Sequence, residues 1–432
     1  MTTFSVLRGM RDFLPKEAKV MRFIEGKARE VARLYSYMEV ITPVVESYEL
    51  LAAKTGEEVR SRMYVFEDLG GRKVALRPEF TASVARLVST SLRTASKPLR
   101  LFCVGSLYRY DEPQRGRFRE FWQSNFELMG SQRPEADAEI LLLTNSLMKL
   151  VGLRNYRFKI NHVGIIRSIL TQEGVDEETQ NRALQLMDKR MYENAIRLLE
   201  DVGASKGCIQ TIESLIAISG GEPVKALEEI RAIISGYNGA MAAVDNLAEI
   251  LKLVMEVQKL DIAIEAGFAR GLEYYTGMIF EVYVPELDIA IAGGGRYDKL
   301  VELFGGEPTP AVGVAHGIDR IMLAMQEQQV PIDLCEDEKV VVIPVSEALR
   351  IEALRISEML RANNISVEVE VMGRKVSRAL EDADRRGCTY AIIVGEQELR
   401  EGKVVLRDMH KRSQQAVKIG DLVQVIRGAG SP

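Results

Sequence analysis

Four arginines, Arg109, Arg115, Arg117 and Arg119, fall in or beside a polar stretch, Glu112-Pro-Gln-Arg-Gly-Arg117, that separates two segments rich in aromatic and β-branched residues. Those segments, residues 99–111 and 118–129, read as a long antiparallel hairpin with a charged tip. Guanidinium groups keep their charge and grip phosphate through paired hydrogen bonds, each charge-assisted bond contributing about 1.5–3 kcal/mol. In an extended strand Arg117 and Arg119 point to the same face. On the return strand Phe121, Gln123, Asn125 and Glu127 alternate with Trp122, Ser124, Phe126 and Leu128. One face therefore carries an arginine, a ring, amides and a carboxylate, while the other is mostly apolar. Such a face over a sheet-floored cleft suits ATP and a second polar substrate. By spacing alone, a hairpin whose polar face meets water fits equally well.

Further downstream, Arg270-Gly-Leu-Glu-Tyr-Tyr-Thr-Gly277 sets an arginine and two tyrosines among glycines. Tyrosine hydroxyls select a polar ligand while their rings wall it in, although a glycine turn with packed tyrosines is an equal reading. Ala292-Gly-Gly-Gly-Arg-Tyr-Asp298 has neither the Lys-Ser/Thr of a P-loop nor dinucleotide-fingerprint spacing. Its glycines suit close approach of backbone to a ligand or a neighbouring strand. Residues 311–323 read as a small-residue strand entering a helix, with Arg320 in its first turns. Taken alone, Arg320 reads as a solvated helix charge, and His316 lacks a catalytic partner. His162, His316 and His410 are scattered, and Cys103, Cys208, Cys335 and Cys388 form no C-x-x-C, which argues against a protein-built zinc site.

Positioning these groups requires a sheet. Val20, Ile24, Ala28, Val31 and Tyr35 define a helix over residues 17–35 that leads into a strand over 37–42, ended by Pro43. Residues 63–67 and 72–77 flank Asp68-Leu-Gly-Gly71 as a second hairpin, and a helix is predicted near Pro78. Residues 135–150 read as helix, 157–162 as strand, and 165 to about 258 as almost wholly helical. Strand patterns resume at 260–266, 278–284 and 289–292, so the helical stretch is inserted within a sheet-based domain of α+β class. Residues 328–338 read as a linker to a small α/β domain with strands near 340–343, 365–371 and 390–394 and parallel pairing.

The chain has 432 residues, 47% hydrophobic and 28% charged, with a net charge of −5. This is a folded protein of two or three domains. Residues 338–432 hold 16 basic and 14 acidic side chains against 41 and 48 in the remainder, a slight lean toward an anionic partner at that end. Residues 1–15 carry Arg8, Arg11 and Asp12 and no apolar core, so no signal peptide is expected, nor any membrane partner.

In order along the chain, these segments resemble the histidyl-tRNA synthetase family of the class II aminoacyl-tRNA synthetases, and the likeness runs through almost the whole chain. The first helix, strand and Pro43 are similar to motif 1, Tyr108-Arg-Tyr-Asp-Glu-Pro-Gln-Arg-Gly-Arg-Phe-Arg-Glu120 to motif 2, and Gly317-Ile-Asp-Arg320 to motif 3. Arg270-Gly-Leu-Glu-Tyr-Tyr275 and Ala292-Gly-Gly-Gly-Arg-Tyr-Asp298 resemble the two segments that set the histidine enzymes apart. The resemblance implies a six-stranded antiparallel catalytic sheet in residues 1–163 and 259–328. It also implies a helical insertion, 164–258, and an anticodon-binding domain, 338–432.

Further implications are a cytoplasmic homodimer that activates L-histidine with ATP and Mg2+ and charges histidine tRNA. Glu79, Thr81 and Gln123 would hold the α-amino group, while Glu127, Tyr274 and Tyr275 would read the imidazole. Arg109 would grip the α-phosphate, Phe121 would stack on adenine, and Arg117 and Arg320 would take the outer phosphates. Arg270 would face the α-phosphate from the amino-acid side. The chain departs from family patterns at Phe80 and Trp122, which bear on pocket width, and at Glu112, which bears on tRNA reading by Gln114 and Arg115. The resemblance leaves one alternative, a histidine-sensing regulatory paralogue of ATP phosphoribosyltransferase that charges no tRNA. Arg374, Lys375, Arg378, Arg385 and Arg386 read either as an anticodon-stem contact or as a solvated face.

Overall fold

Pro15 at its first position and the Glu17 carboxylate, which accepts the Leu14 N–H at 3.0 Å, start the helix Pro15–Leu34. Its stripe Met21, Ile24, Ala28 and Val31 is fully buried, as the three-four spacing requires. The structure is a computed structural model that describes residues 4–53, 56–270, 272–332 and 339–429, in two compact units, 1–332 and 333–432.

In the first unit the strands are β1 (Met38–Glu39), β2 (Val45–Ser47), β3 (Val65–Glu67), β4 (Lys73–Leu76), β5 (Leu99–Tyr108), β6 (Glu120–Met129), β7 (Arg157–His162), β8 (Ser219–Gly220), β9 (Ile262–Glu265), β10 (Met278–Val284), β11 (Ile289–Arg296) and β12 (Ala311–Gly317). β2, β3 and β4 make a small sheet, and the other nine form one sheet in the order β1-β5-β6-β12-β11-β10-β7-β9-β8. From β5 to β7 the six neighbouring strands are all antiparallel, while β1 adds to β5, and β9 to β7, in parallel. Antiparallel hairpins leave one face free for a site, and helices cover the other.

Several boundaries differ from the sequence reading. The predicted strand 37–42 shortens to two residues. The helix predicted near Pro78 begins at Thr81, because the Glu79 carboxylate accepts the N–H groups of Thr81 and Ala82, both at 2.7 Å, and caps it. The predicted strand 289–292 runs on through the glycines to Arg296. The predicted helical stretch consists of six helices between Val163 and Val257, interrupted by β8, which pairs with β9. These helices share one continuous apolar core with the sheet and with the helix Pro134–Leu150. Val330 and Ile332, within the predicted linker, pack against that core, while residues 333–338, with Cys335, lie outside the described residues.

A buried ion pair ties the sheet to its covering helix. Arg296, at the end of β11, donates from Nε to Asp137 Oδ1 at 3.0 Å and from Nη2 to Oδ2 at 2.5 Å, and its Nη1 reaches the Ser131 carbonyl at 2.9 Å.

In the second unit β13 (Lys339–Pro344), β14 (Ser366–Val369) and β15 (Tyr390–Val394) pair in parallel as expected. An antiparallel hairpin that periodicity missed, β16 (Lys403–Asp408) and β17 (Ser413–Lys418), completes the five-stranded sheet. Within its two strands only Val404, Leu406 and Val417 are buried, too few to make a strong pattern. In the basic run, Arg374 pairs with Glu370 and Asp382, and Arg386 with Glu368 and Asp382, so much of that charge is neutralised at home.

Removing one member of a buried, bidentate pair leaves the other uncompensated. Asp137→Ala is expected to lower unfolding free energy by about 3–5 kcal/mol, measured by denaturant melts. A loss below about 1 kcal/mol would mean that the pair contributes no more than a surface salt bridge does.

Candidate active site

The free face of the antiparallel sheet floors a cleft of about 310 Å³. Cross-strand rows explain why there is space. One row runs Glu127, Gly313, Gly295; the next runs Asn125, Ala315, Gly293, Glu281. Side chains in a row share a face, so small residues on β11 and β12 hollow the middle while functional groups rise from β6 and β10. A Cβ on Gly313 would collide with the Glu127 carboxylate, and one on Gly293 with the Arg270 guanidinium. The triple-glycine segment thus serves close approach.

At one end, Glu127 lies fully buried. Thr81 Oγ1 donates to its Oε1 at 2.8 Å, and the Tyr297 hydroxyl donates to its Oε2. Tyr274 stands with its ring centroid 5.0 Å from that of Tyr275 and 5.6 Å from that of Tyr297, which gives three aromatic walls. Burial raises all three hydroxyl pKa values, so these groups stay protonated donors. Burial also pushes the Glu127 carboxyl up to about 7, against the hydrogen bonds from Tyr297 and Thr81 that favour its charged form. Glu79 is raised too, by burial.

Toward the other end stand four arginines, Arg109, Arg117, Arg270 and Arg320. Arg109 Nε is engaged by the Pro78 carbonyl at 2.9 Å, and its guanidinium sits 5.3 Å from the Phe121 ring centroid. Arg320 donates to the Gly116 carbonyl at 3.2 Å and the Ala290 carbonyl at 2.7 Å. Burial, then repulsion from Arg117 and Arg109, lowers Arg320 to about 10. Burial opposes the Arg270 charge as well, yet its 2.5 Å pair with Glu281 holds its pKa above the usual arginine value. Repulsion among these cations, felt at Arg320 from Arg117 and Arg109, is relieved by a polyanion such as a triphosphate.

The fold agrees with that of known proteins. Residues 9–321 match the family model described as histidyl-tRNA synthetase, and residues 339–428 match the anticodon binding domain. The chain belongs to the histidyl-tRNA synthetase family. The histidine–tRNA ligase of Methanocaldococcus jannaschii is 44% identical to it over 422 residues, covering 97% of this chain and 98% of that one. The ligase of Metallosphaera sedula is 39% identical, covering 99% of each. Among solved structures, the apo histidyl-tRNA synthetase of S. aureus matches with a TM-score of 0.69 at 25% identity, over 98% of this chain and 99% of that one.

Within this family member, the cleft lining gathers every residue that the resemblance linked to histidine or ATP. Glu79, Thr81, Gln123, Glu127, Tyr274 and Tyr275 line it, as do Arg109, Arg117, Phe121, Arg270 and Arg320. Gln114 and Arg115 do not. They sit at the hairpin tip, where Gln114 and Arg117 exchange backbone hydrogen bonds and Arg115 pairs with Glu327 at 2.7 Å. Arg119 leaves the face predicted for it, because residues 109–119 are loop rather than strand. It is buried, its guanidinium stacked 3.6 Å from the Tyr110 centroid. Phe80 packs in the core below Tyr274 and Tyr275 instead of narrowing the cleft. His316 is also core, 3.2 Å from Thr144, with its pKa lowered to about 3 by burial.

Sequence reading missed Tyr297 and Glu281. Tyr297 continues the alternation Gly293, Gly295 along β11, so period two alone could have placed it on the cleft face. Glu281 shares its row with Gly293, information that exists only in the sheet register.

Between about pH 4.5 and 7 the folded state binds a proton at Glu127 that the unfolded chain has released. Glu127 therefore adds stability that is full below this window and declines as pH rises through it. The buried His316, lowered to about 3, acts in the opposite sense. Thermal melts of wild type and Glu127→Gln should isolate the carboxyl: the wild-type melting temperature falls relative to the variant from pH 5 to 7.5. A pH-independent difference would show that Glu127 titrates at its ordinary value.

Proposed function

We propose that the cleft activates L-histidine with ATP and passes the histidyl group to the 3′ end of histidine tRNA. One observation carries this reading: four guanidinium groups crowd one end of a cleft whose other end is a closed, tyrosine-walled carboxylate pocket. ATP stacks its adenine on Phe121, with Arg109 on the α-phosphate and Arg117 and Arg320 on the outer phosphates. Arg270 meets the α-phosphate from the amino-acid side.

L-histidine lies at the Glu127 end. Glu79, Thr81 and Gln123 hold its α-amino group, and Glu127, Tyr274 and Tyr275 read its imidazole. A buried carboxylate and hydroxyls satisfy both ring nitrogens, and a competitor without them leaves buried polar groups unpaired. A carboxylate oxygen of histidine then attacks the α-phosphorus. The bond from that phosphorus to the bridging oxygen breaks, and pyrophosphate leaves. The attacking carboxylate is already ionised, so no general base is needed. The arginines stabilise charge on the pentavalent phosphorus and the leaving group, which is catalysis by positioning and electrostatics. Mg2+ belongs to the substrate, MgATP, where it offsets phosphate charge with one or two carboxylates at most as protein ligands. A hydroxyl of the terminal adenosine of the tRNA finally attacks the adenylate carbonyl and releases AMP.

On this reading residues 1–163 and 259–328 are catalytic, 164–258 an insertion, and 338–432 the anticodon-binding domain, with Gln114 and Arg115 near the acceptor end. Ile41, 91% exposed, with Met38, Val44, Val45 and Phe66 also exposed, supports pairing of two copies through the motif 1 region. Buried, unpaired Cys103, Cys208 and Cys388 support a cytoplasmic setting. No described helix is long and apolar enough to cross a membrane. The histidine-sensing paralogue has no use for the arginine cluster or an anticodon-binding domain, and both features favour the ligase.

Histidine-dependent exchange of pyrophosphate into ATP is the direct test; its absence in a folded preparation would favour the sensor. Arg270→Ala is expected to slow that exchange by about 10²–10³-fold while the protein still melts cooperatively. An unchanged rate would remove Arg270 from the mechanism. Transfer to tRNA should weaken steeply between about 50 and 200 mM salt, far more than exchange without tRNA does, since phosphate contacts release counterions. Equal salt dependence of the two would contradict an extended tRNA contact.

A further inference from the structure

The segment before the first helix grips the ATP half of the cleft without lining it. Gly9 accepts the Arg119 N–H at 2.8 Å, and Arg8 pairs with Glu112 at 2.8 Å. Gly9 has φ +83°, and a Cβ there would meet the Arg119 side chain at 2.7 Å, so only glycine lets the strap lie this close. Two residues on, the Arg11 guanidinium lies between two rings, 4.4 Å from the Phe13 centroid and 3.6 Å from that of Phe118. It forms an ion pair with Asp319, whose side chain is only 3% exposed.

Asp319 links the strap to both halves of the proposed ATP platform. Its Oδ2 accepts the Trp122 N–H at 2.6 Å, which fixes β6 beside Phe121, and it precedes Arg320 in the first turn of the helix Ile318–Glu327. Arg11 itself is absent from the cleft lining, whereas Asp319, Trp122 and Phe118 belong to it. Without Arg11, Asp319 has no ion pair among the described residues, and the cations lining its cleft are those the phosphates require. Asp319 then competes with ATP for the arginine cluster and frees the β6 backbone to shift.

We propose that Arg11 is a positioning residue for ATP, acting through Asp319 on Phe121 and Arg320. This inference rests on the reading of that end of the cleft as the ATP site. The side chain must be arginine rather than any cation, because a planar guanidinium can stack between Phe13 and Phe118 while pairing with a carboxylate.

The test is pyrophosphate exchange by the full chain, with KM measured separately for ATP and for histidine. Arg11→Ala is expected to raise the KM for ATP about tenfold while the KM for histidine stays within about twofold. Arg11→Lys, which keeps charge but not the stack, should fall between wild type and Arg11→Ala, and it serves if the alanine variant does not fold. The double variant Arg11→Ala/Asp319→Asn should be no worse than the worse single variant, since both break one link. Equal rises in both KM values, an unchanged KM for ATP, or additive losses in the double variant would overturn the positioning role while leaving the functional reading intact. A folded wild type without histidine-dependent exchange would overturn both.

Discussion

Four arginines held at one end of a narrow cleft repel one another and lose water, and their surroundings answer that cost. Arg320 is brought down to about 10 by burial and by its cationic neighbours, and Arg109 is lowered by burial as well. The compensation is mostly neutral: the carbonyls of Pro78, Gly116 and Ala290 take single N–H groups, which leaves the rest of each fork free. Arg270 has a carboxylate partner, Glu281. A site with fully paired arginines would bind phosphate poorly, because the anion would have to displace a resident acid. Partial satisfaction by backbone dipoles keeps the cluster folded and still attractive to a polyanion.

At the opposite end the same physics is applied to a negative charge. Glu127 and Glu79 are both buried, and both are raised by burial. Each is satisfied differently, Glu79 by the two backbone N–H groups that open the helix Thr81–Ser89, Glu127 by two hydroxyls. The sheet makes this arrangement possible because glycine and alanine occupy the intervening rows of β11 and β12. A larger residue at Gly313 would occupy the space of the carboxylate itself. Beneath the floor, the Arg296–Asp137 pair anchors the end of β11, next to Tyr297, to the covering helix.

Much of this was legible beforehand where local rules suffice. Strict alternation put Phe121, Gln123, Asn125 and Glu127 on one face of a strand, and all four line the cleft. The second hairpin formed around Asp68, whose carboxylate accepts the N–H groups of Gly70 and Arg72 as an Asx turn does. Arg119 went astray because the alternation rule was carried into residues that form a loop. The C-terminal hairpin was hidden because one face of β16 and almost all of β17 meet water, which leaves little pattern to read.

Residue order and type therefore determined which elements form, which face of β6 is polar, and, through five ordered motifs, the family. They did so because side-chain period and turn chemistry act over a few residues. Only the tertiary structure decided that Tyr297 and Thr81 share one carboxylate, that Arg270 pairs with Glu281, and that Arg11 reaches Asp319. Those partners are separated by up to several hundred positions in the chain. They are joined by the register of antiparallel strands and by a strap folded over them, which no local period encodes.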